Sequence, residues 1–563
     1  MSQKKPNIVL IFADDLGMGD VSAFNPESKI HTEHIDALAK DGMRFTDSHA
    51  TSALCTPSRY GLLTGRYNWR SRLKSSVIPG DSQTLIEKDR RTLPQMLKDH
   101  GYQTAAIGKW HLGMEWTLKD HKDYERYGVD GDKYRDQEAN YQKGRPYFGN
   151  TTDEPIFRGT DIDYSQPIKF GPLNYGFDYF YGTAASLDQA PFTIIENDRA
   201  LYQPEYMAGD HNISRIKSDT NRSIEAGVMA PEHSPYHVPD QMQAKALEVL
   251  DEMIEADDPF FLYYPNHLVH GPIIPQERFR GKSGIGDYGD FVLQLDSYVG
   301  EIANKLKEAG IYEDTLFIFT SDNGASPIVD IDRLKEEEDH DPSNGLRGHK
   351  MHNWEGGHRE PTIVSYPRLI EANTVSNHMV SHSDFYNTIA DILGEEKRDD
   401  VAEDSYSNLP LWQGKDQAVR EDIIHSAGNG GFSIRRDFWK LIMVKDGGLG
   451  GYERNVDSYK ETFQATELYD LRDDLSESHN VITDHPDVVD ELSQVLVDYI
   501  KEGRSTPGQA QANQADLPTG DWEQVAFMPD YEDYVQGLNQ AAVEAGQISQ
   551  EELDKNSAFK KED

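Results

Sequence analysis

Four short runs of apolar residues recur along the chain, and each ends abruptly in polar residues. They are residues 7–12 (NIVLIF), 103–108 (QTAAIG), 260–264 (FFLYY) and 315–320 (TLFIFT). Apolar runs of this length are typical of strands that are buried on both faces. Because parallel sheets are covered on both faces, these runs predict a sheet whose strands are mostly parallel.

Amphipathic patterns that indicate capped helices lie between these runs. Residues 31–42 and 291–310 each end in a glycine, and residues 92–101 begin with a threonine cap and also end in a glycine. Strands that alternate with helices predict an α/β fold, here a large mixed, mostly parallel sheet sandwiched by helices. In such folds ligands bind beyond the carboxyl ends of the strands.

Carboxylates and an amide follow two of the predicted strands. Asp14 and Asp15 come after the first run, and Asp322 and Asn323 come after the fourth. Oxygen ligands of this kind suit Ca²⁺ or Mg²⁺ and do not suit zinc. Three carboxylates placed together would be costly without compensation, so a divalent cation is their natural partner. We expect one such ion, Ca²⁺ in preference to Mg²⁺.

The character of the sequence changes near residue 425. Residues 432–444 and 465–474 alternate as antiparallel strands do, and an amphipathic helix follows at 485–503. These patterns predict a smaller subdomain that combines an antiparallel sheet with a helix. The expected units are a main domain over residues 1–424, the smaller subdomain over 425–505 and an acidic extension over 506–563.

Composition argues against two classes of partner. Among 563 residues, Lys and Arg number 56 and Asp and Glu number 98, which gives a formal charge of −42. No clustered basic stretch occurs, so we expect no nucleic-acid partner. No apolar run approaches the roughly 18–20 residues that cross a bilayer, so we expect no membrane insertion.

The N-terminus, MSQKKPNIVLIFADD, has a basic start and a short apolar run, as a signal peptide has. Asp14 and Asp15 stand where a small-residue cleavage site would lie, so a buried strand is the better interpretation. We expect that any export leader was removed or never existed. A periplasmic or secreted location is expected, and a cytoplasmic one stays open.

The single cysteine, Cys55, lies in the stretch LCTPSRYGLLTGRY at 54–67. It could be a small buried hydrophobic residue. A thiolate phosphatase would need Cys-x5-Arg, but Gly61 stands where that arginine belongs, so this interpretation fails. The third interpretation is Cys-x-Pro-x-Arg, the signal at which a dedicated enzyme oxidises cysteine to formylglycine.

Five motifs together give the chain a resemblance to a known family. They are PNIVLIFADDLG (6–17), CTPSRYGLLTGRY (55–67), GKWHLG (108–113), TSDNGA (320–325) and LRGHKMHNWEGGHREP (346–361). From Pro6 to about residue 500 the chain resembles type I sulfatases, the formylglycine-dependent, arylsulfatase-like members of the alkaline phosphatase superfamily. The resemblance implies hydrolysis of sulfate esters.

The resemblance further implies that a formylglycine-generating enzyme modifies Cys55. One hydroxyl of the hydrated aldehyde would attack sulfur, and the second would then lose its proton so that the aldehyde re-forms and sulfate leaves. The family's cation would be held by Asp14, Asp15, Asp322, Asn323 and the modified Cys55. It would acidify the nucleophile and polarise the sulfate.

Other side chains receive roles from the same resemblance. Arg59 would support the nucleophilic hydroxyl and the carboxylates that bind the cation. Lys109 and Lys350 would contact the sulfate. His111 would take the proton in the elimination step, and His270 would protonate the leaving oxygen.

The substrate is indicated by two further stretches. Residues 185–199 (ASLDQAPFTIIENDR) resemble a stretch of sulfatases that act on galactose or N-acetylgalactosamine sulfates, and WEGGHR recurs in carbohydrate-active members. We expect Asp188, His358 and Arg359 to bind the sugar, since such groups discriminate hydroxyl orientation by hydrogen bonding. The expected substrate is a sulfated galactan or glycosaminoglycan with galacto-configured sugars.

Two alternatives stay open at this point. The same pocket could serve a formylglycine-dependent phosphomonoester or phosphodiester hydrolase. A non-catalytic glycan-binding relative would result if Cys55 were never oxidised.

Overall fold

A ten-stranded sheet forms the centre of the computed structural model. The structure describes residues 5–119, 159–208, 224, 227–452, 455–517 and 519–557. The strands of the sheet are Asn7–Ala13 (β1), Met43–Phe45 (β2), Gln103–Lys109 (β3), Tyr179–Thr183 (β4), Ile195–Glu196 (β5), Arg199–Ala200 (β6), Phe260–Pro265 (β7), Thr315–Ser321 (β8), Thr362–Ser365 (β9) and Thr374–Ser376 (β10). Their order across the sheet is β10-β2-β9-β8-β1-β7-β3-β4-β5-β6.

The five central strands, β8-β1-β7-β3-β4, are all parallel, and they contain the four apolar runs. Antiparallel pairs occur only toward the edges of the described sheet. Strand β1 is buried along its whole length. Its alternate residues Ile8 and Leu10 join one hydrophobic cluster, and Val9 and Ile11 join another, because a strand sends successive side chains to opposite faces.

Helices cover both faces of this sheet. The described α-helices are Glu33–Asp41 (α1), Cys55–Thr64 (α2), Leu93–Asp99 (α3), Val238–Ala256 (α4), Asp287–Glu308 (α5), Ile331–Glu337 (α6), Asp384–Leu393 (α7), Leu409–Trp412 (α8), Val456–Thr462 (α9), Pro486–Glu502 (α10), Tyr531–Glu544 (α11) and Gln550–Asn556 (α12). Residues of α2, α3 and α7 pack in the first cluster, and residues of α1, α4 and α5 pack in the second. Among the described residues, no helix combines the length and apolar character that a bilayer crossing requires.

A second sheet lies in the C-terminal part of the chain. Its strands Asp422–Ser426 (β11), Phe432–Arg436 (β12), Trp439–Ile442 (β13) and Glu467–Asp470 (β14) follow one another in antiparallel order. Helix α10 packs against β12 and β13. The predicted fold class, a large mixed, mostly parallel sheet between helices with a small antiparallel sheet and helix, is confirmed.

The domain boundaries stay a prediction. Strand β11 spans the expected boundary between residues 424 and 425, and the core of the small sheet also contains Tyr67 and Trp69. Trp522, from the expected extension over 506–563, joins the same core. Within that extension, residues 518 and 558–563 lie outside the described part.

Trp522 provides a test of how firmly the C-terminal residues are attached. The side chain is fully buried, its ring centroid lies 6.3 Å from that of Trp69, and the Lys74 ammonium lies 3.7 Å from its ring. Trp522→Ala should lower the free energy of unfolding by about 3–5 kcal/mol, measured by urea denaturation, because it empties a packed core site. Leu449→Ala, at a half-exposed position, should change it little; equal effects would show that Trp522 does not hold the core.

Candidate active site

Four predicted metal ligands meet at one edge of the large sheet. Strands β1 and β8 are adjacent and parallel, with Ala13 paired to Ser321, so the residues that follow them lie side by side. The backbone N–H of Asp322 donates to the carbonyl of Ala13 at 3.0 Å. All four side chains are buried, at 0–1% exposure: Asp14, Asp15, Asp322 and Asn323.

The oxygens of this group are only partly satisfied within the chain. Asn323 Nδ2 donates to Asp15 Oδ1 at 2.8 Å, and the Asp15 backbone N–H donates to Asp322 Oδ1 at 3.2 Å. Asp14 Oδ1 and Asn323 Oδ1 are buried and accept no hydrogen bond from the described residues. Orphaned carboxylate and amide oxygens beside one another fit a hard divalent cation.

Three basic side chains face the three carboxylates. Arg59 Nη2 lies 2.7 Å from Asp322 Oδ2, and its Nη1 donates to the Lys109 carbonyl at 2.9 Å. Lys109 Nζ donates to Asp14 Oδ2 at 2.7 Å. Lys350 Nζ lies 2.7 Å from an oxygen of Asp15. The three positive side chains thus balance the charge of the three carboxylates. A bound divalent cation would bring the net charge of the site to about +2, which favours an anionic substrate.

The three carboxyls titrate differently because their neighbours differ. Burial raises the pKa of each, but at Asp14 opposing charges, with Lys109 the largest, hold the pKa well below its usual range. At Asp15 burial prevails and the pKa is raised. At Asp322 burial, and then the charge of Asp14, raise the pKa to about 7. A cation between the three would favour the ionised form of all of them.

Cys55 is the first residue of α2 and is 2% exposed. Its Sγ, carboxylate oxygens of Asp14 and Asp15 and a ring nitrogen of His270 all lie within 4.8 Å of one another. Burial raises the pKa of the thiol to about 12. A helix N-terminus favours anions, so this is where an anionic ester can approach residue 55.

The two predicted proton-transfer histidines have defined hydrogen-bond partners. His111 Nε2 lies 3.0 Å from the Ile78 carbonyl and so carries a proton, while its buried Nδ1 has no partner among the described residues. Burial, then the charge of Lys109, holds the pKa of His111 well below its usual value. His270 Nδ1 donates to the Gly271 carbonyl at 2.7 Å, and its Nε2 lies 3.7 Å from Asp15 Oδ2.

The expected sugar-binding residues separate into two places. Asp188 lies beside the site, with Oδ1 3.9 Å from His270 Nδ1. His358 is completely buried, and both of its ring nitrogens face protein atoms, with Nδ1 3.1 Å from His49 Nδ1. Arg359 pairs with Glu355 at 3.0 Å. The structure corrects the expectation for His358, because a ring without exposed surface or a spare nitrogen cannot bind a hydroxyl; Arg359 is engaged in the same buried surroundings.

Sequence reasoning missed the groups that orient these side chains. Thr56 Oγ1 donates to the His111 carbonyl at 3.0 Å, and the Ile78 carbonyl accepts from the His111 ring. Thr183 Oγ1, at the end of β4, lies 2.7 Å from Nε2 of His267, which follows β7 on the other side of β3. A backbone carbonyl has no sequence signature, so only Thr56, inside the CTPSR motif, could have been found beforehand.

A comparison with protein-family models decides the family. The sulfatase model matches residues 6–395. The chain belongs to the sulfatase family. This sulfatase is therefore a sulfuric ester hydrolase. A second model, described as N-sulphoglucosamine sulphohydrolase, C-terminal, matches residues 349–503, which include the small sheet and α10.

Its relatives include carbohydrate and aryl sulfatases. The N-acetylgalactosamine-6-O-sulfatase of Bacteroides thetaiotaomicron is 33% identical over 529 residues, which cover 88% of this chain and 93% of the relative. Human arylsulfatase A is 28% identical, and the match covers 88% of this chain and 86% of the relative.

Solved structures agree with the fold. One is described with the metabolism of multiple glycosaminoglycans by Bacteroides thetaiotaomicron. It is 31% identical with a TM-score of 0.70, and the match covers 88% of this chain and 99% of that structure. A sulfatase from Pseudoalteromonas sp. is 20% identical and has a TM-score of 0.62. The match covers 88% of this chain and 90% of that structure, which shares the fold.

The oxygen cluster predicts a measurable cation affinity. After the protein has been stripped of metal with a chelator, calcium should bind with one ion per chain. It should also raise the unfolding temperature, because a ligand at 100 times its Kd stabilises the native state by about 2.7 kcal/mol. Asp14→Asn should weaken binding about tenfold or more in calorimetric titration, since it removes one ligand charge. Asp404→Asn, which alters a buried pair with Arg70, should lower stability but leave the calcium Kd unchanged. Unaltered affinity in Asp14→Asn would count against the site.

Proposed function

We propose that the enzyme removes sulfate from a sulfated carbohydrate, with formylglycine at position 55 and Ca²⁺ as the bound cation. One observation carries the proposal: Cys55 begins a helix within 4.8 Å of two cation-ligand carboxylates and His270. Arg59, Lys109 and Lys350 surround the same point. No neutral ester would need so many charged groups, whereas a sulfate ester does.

The proposed cation ligands are Asp14, Asp15, Asp322, Asn323 and an oxygen of residue 55. A hard cation at this point would lower the pKa of the formylglycine hydrate and polarise a sulfate oxygen. Magnesium would take the same oxygen ligands, but Ca²⁺ tolerates an irregular, wholly protein-built set more readily.

The proposed reaction has two stages at residue 55. One hydroxyl of the hydrated aldehyde would lose its proton to solvent and attack sulfur, the S–O bond to the sugar would break, and the leaving oxygen would take a proton from His270 Nε2. His111 Nδ1 would then remove the proton of the second hydroxyl, so that the aldehyde re-forms and the C–O bond to sulfate breaks. Water hydrates the aldehyde again, so the net reaction consumes one water per ester.

Hydrogen bonds support the two proton-transfer roles. The proton on His111 Nε2 is committed to the Ile78 carbonyl, so Nδ1 offers a lone pair and can act as a base. His270 donates from Nδ1 to the Gly271 carbonyl, so the proton it gives would be a second one, on Nε2, and the acid role requires the doubly protonated ring. The Asp15 carboxylate, with Oδ2 3.7 Å from Nε2, favours that form. Lys109, Lys350 and Arg59 would hold the sulfate and the nucleophile in place.

The sugar specificity rests on Asp188 and on the relatives. Asp188 Oδ1 lies 3.9 Å from Nδ1 of His270, whose Nε2 is the proposed donor to the leaving sugar oxygen, so the carboxylate is near enough to the site to bind another hydroxyl of that sugar. Two of the similar proteins are described as an N-acetylgalactosamine-6-O-sulfatase and as part of glycosaminoglycan metabolism. We therefore assign a galacto-configured residue of a sulfated galactan or glycosaminoglycan as the substrate.

The proposal includes a maturation partner and a location. A formylglycine-generating enzyme must oxidise Cys55, and polymeric sulfated substrates place the enzyme in the periplasm or outside the cell.

The nucleophile can be tested by mass and by turnover. Formylglycine should lower the intact mass by about 18 Da relative to cysteine. Cys55→Ala and Cys55→Ser should abolish steady-state turnover, the serine because it lacks the second hydroxyl that expels sulfate. Cys55→Ser keeps a hydroxyl oxygen at the proposed cation and should hold the calcium Kd within a few-fold, whereas Cys55→Ala removes that ligand and should weaken binding. Sustained turnover by Cys55→Ser would rule out the two-hydroxyl route, and faster hydrolysis of aryl phosphate than aryl sulfate would indicate a phosphoester hydrolase.

Asp188 tests the sugar specificity. Asp188→Ala should lower kcat/KM on a galacto-configured sugar sulfate by roughly 10²-fold, the scale of buried polar groups left unpaired. It should change kcat/KM on an aryl sulfate little, and Glu308→Ala, at an exposed helix end, should change neither. Equal losses on both substrates would show that Asp188 supports the catalytic groups and does not bind the sugar.

A further inference from the structure

A buried hydrogen-bonded chain lies next to the active site but takes no part in the proposed reaction. We call it the Asp47–Lys440 chain, and its members are Asp47, His49, His358 and Lys440. His49 Nε2 lies 2.9 Å from Asp47 Oδ1, and His49 Nδ1 lies 3.1 Å from His358 Nδ1. Lys440 Nζ lies 3.3 Å from His358 Nε2. All four residues are at most 5% exposed.

The contacts assign a proton to each link of this chain. His49 Nε2 lies closer to the Asp47 carboxylate, at 2.9 Å, than to Arg435 Nη1, at 3.4 Å, and therefore carries hydrogen, which leaves its Nδ1 as an acceptor. His358 must then donate from Nδ1, and its Nε2 accepts from the Lys440 ammonium. Burial lowers the pKa of both histidines, which favours this neutral form. The Asn353 carbonyl also lies 3.1 Å from His358 Nε2, so this tautomer places two acceptors together on that side, where the Lys440 ammonium supplies a donor to Nε2. The other tautomer would place the two Nδ1 lone pairs against each other at 3.1 Å.

The chain ends are fixed by ion pairs. Asp47 receives both terminal nitrogens of Arg435 at 2.7 Å. Lys440 pairs with Glu355 and Glu477, each at 2.9 Å. It hydrogen-bonds Glu355 Oε1 and His358 Nε2, so the ammonium joins the ring of His358 to the two carboxylates. A charge fixed at each end orders the tautomers of both rings between them.

A metal ion is the competing explanation for this cluster. Ring nitrogens of His49, His358 and His425 lie within 4.8 Å of one another. The rings of His358 and His425, however, stack face to face with centroids 3.6 Å apart and planes 11° apart, so their lone pairs run nearly parallel and do not converge. A cation would also displace the proton that joins His49 to His358. The geometry favours the proton chain.

The chain connects with the cation ligands through the backbone. The Ala50 N–H donates to the His358 carbonyl at 2.8 Å, which ties the loop of His358 to the segment leading to Cys55. The Gly357 carbonyl accepts from the Gly324 N–H at 3.1 Å, immediately after Asn323. A Cβ on Gly324 would lie 2.0 Å from the Gly356 carbonyl oxygen, so the two loops are in direct backbone contact.

We propose that the Asp47–Lys440 chain positions the cation-ligand loop at Asp322 and Asn323, with His358 as its central positioning residue. The inference rests on the proposed calcium site. Side chains from three distant parts of the sequence, residues 47–49, 435–440 and 477, fix the 353–360 loop, and that loop contacts residue 324. His358 would thereby affect substrate turnover only through the cation ligands.

Substitutions at His358 can cut one link at a time. His358→Asn keeps a donor near Nδ1 for His49 and loses Lys440, whereas His358→Gln keeps an acceptor near Nε2 for Lys440 and loses His49. His358→Leu loses both. The calcium Kd is measured by titration calorimetry on protein stripped of metal with a chelator. In the Leu variant it should rise by about tenfold or more, the usual effect of removing a group that orients metal ligands. The Asn and Gln variants should show smaller increases.

His425→Phe is the matched control, because it preserves the stacked ring and removes no member of the chain. Its calcium Kd should equal that of the wild type, even if its unfolding temperature falls. The proposal would be refuted by an unchanged calcium Kd in His358→Leu or by an equal increase in His425→Phe. It would also be refuted if the purified wild type retained one zinc ion per chain and His425→Phe lost it. A wild type that binds no calcium would instead refute the proposed function.

Discussion

The structure depends on the electrostatic balance at the carboxyl ends of β1 and β8. Three buried carboxylates lie together there, and they are tolerable only because three basic side chains meet them and because their remaining oxygens suit a cation. Those basic groups come from α2, from the end of β3 and from the loop at Lys350. The charge cluster therefore holds together the segments that form the catalytic site.

Much of this arrangement could be predicted from sequence because parallel strands impose it. Once residues 7–12 and 315–320 are recognised as neighbouring buried strands, Asp14 and Asp322 must emerge at the same edge. The residue types then indicate a hard cation, and CTPSR indicates the chemistry at Cys55. The fold class and family followed from the same motifs. The individual catalytic roles stay predictions, although the hydrogen bonds of His111 and His270 are compatible with them.

The error at His358 shows where sequence reasoning fails. Its place in a recurring motif predicts that His358 binds the substrate, yet the side chain is buried against partners that are remote in sequence. Lys440 is 82 residues away and His49 is 309 residues away. Arg435, which pairs with Asp47, is 388 residues from it. No periodicity or spacing rule links such positions, so a buried network of this kind becomes visible only when both sheets are in place.

The complete burial of α2 has a consequence for the order of events during synthesis. Every residue of this helix, Cys55 included, is enclosed, and the core beyond its end is completed by residues as late as Trp522. The proposed modifying enzyme would have to bind the stretch around residue 55 before that enclosure. At about 5–20 residues per second, the ribosome needs tens of seconds to make the intervening chain. Under the proposed maturation, the interval between emergence and closure would set the fraction of chains that carry formylglycine, and slower folding or slower translation would raise that fraction.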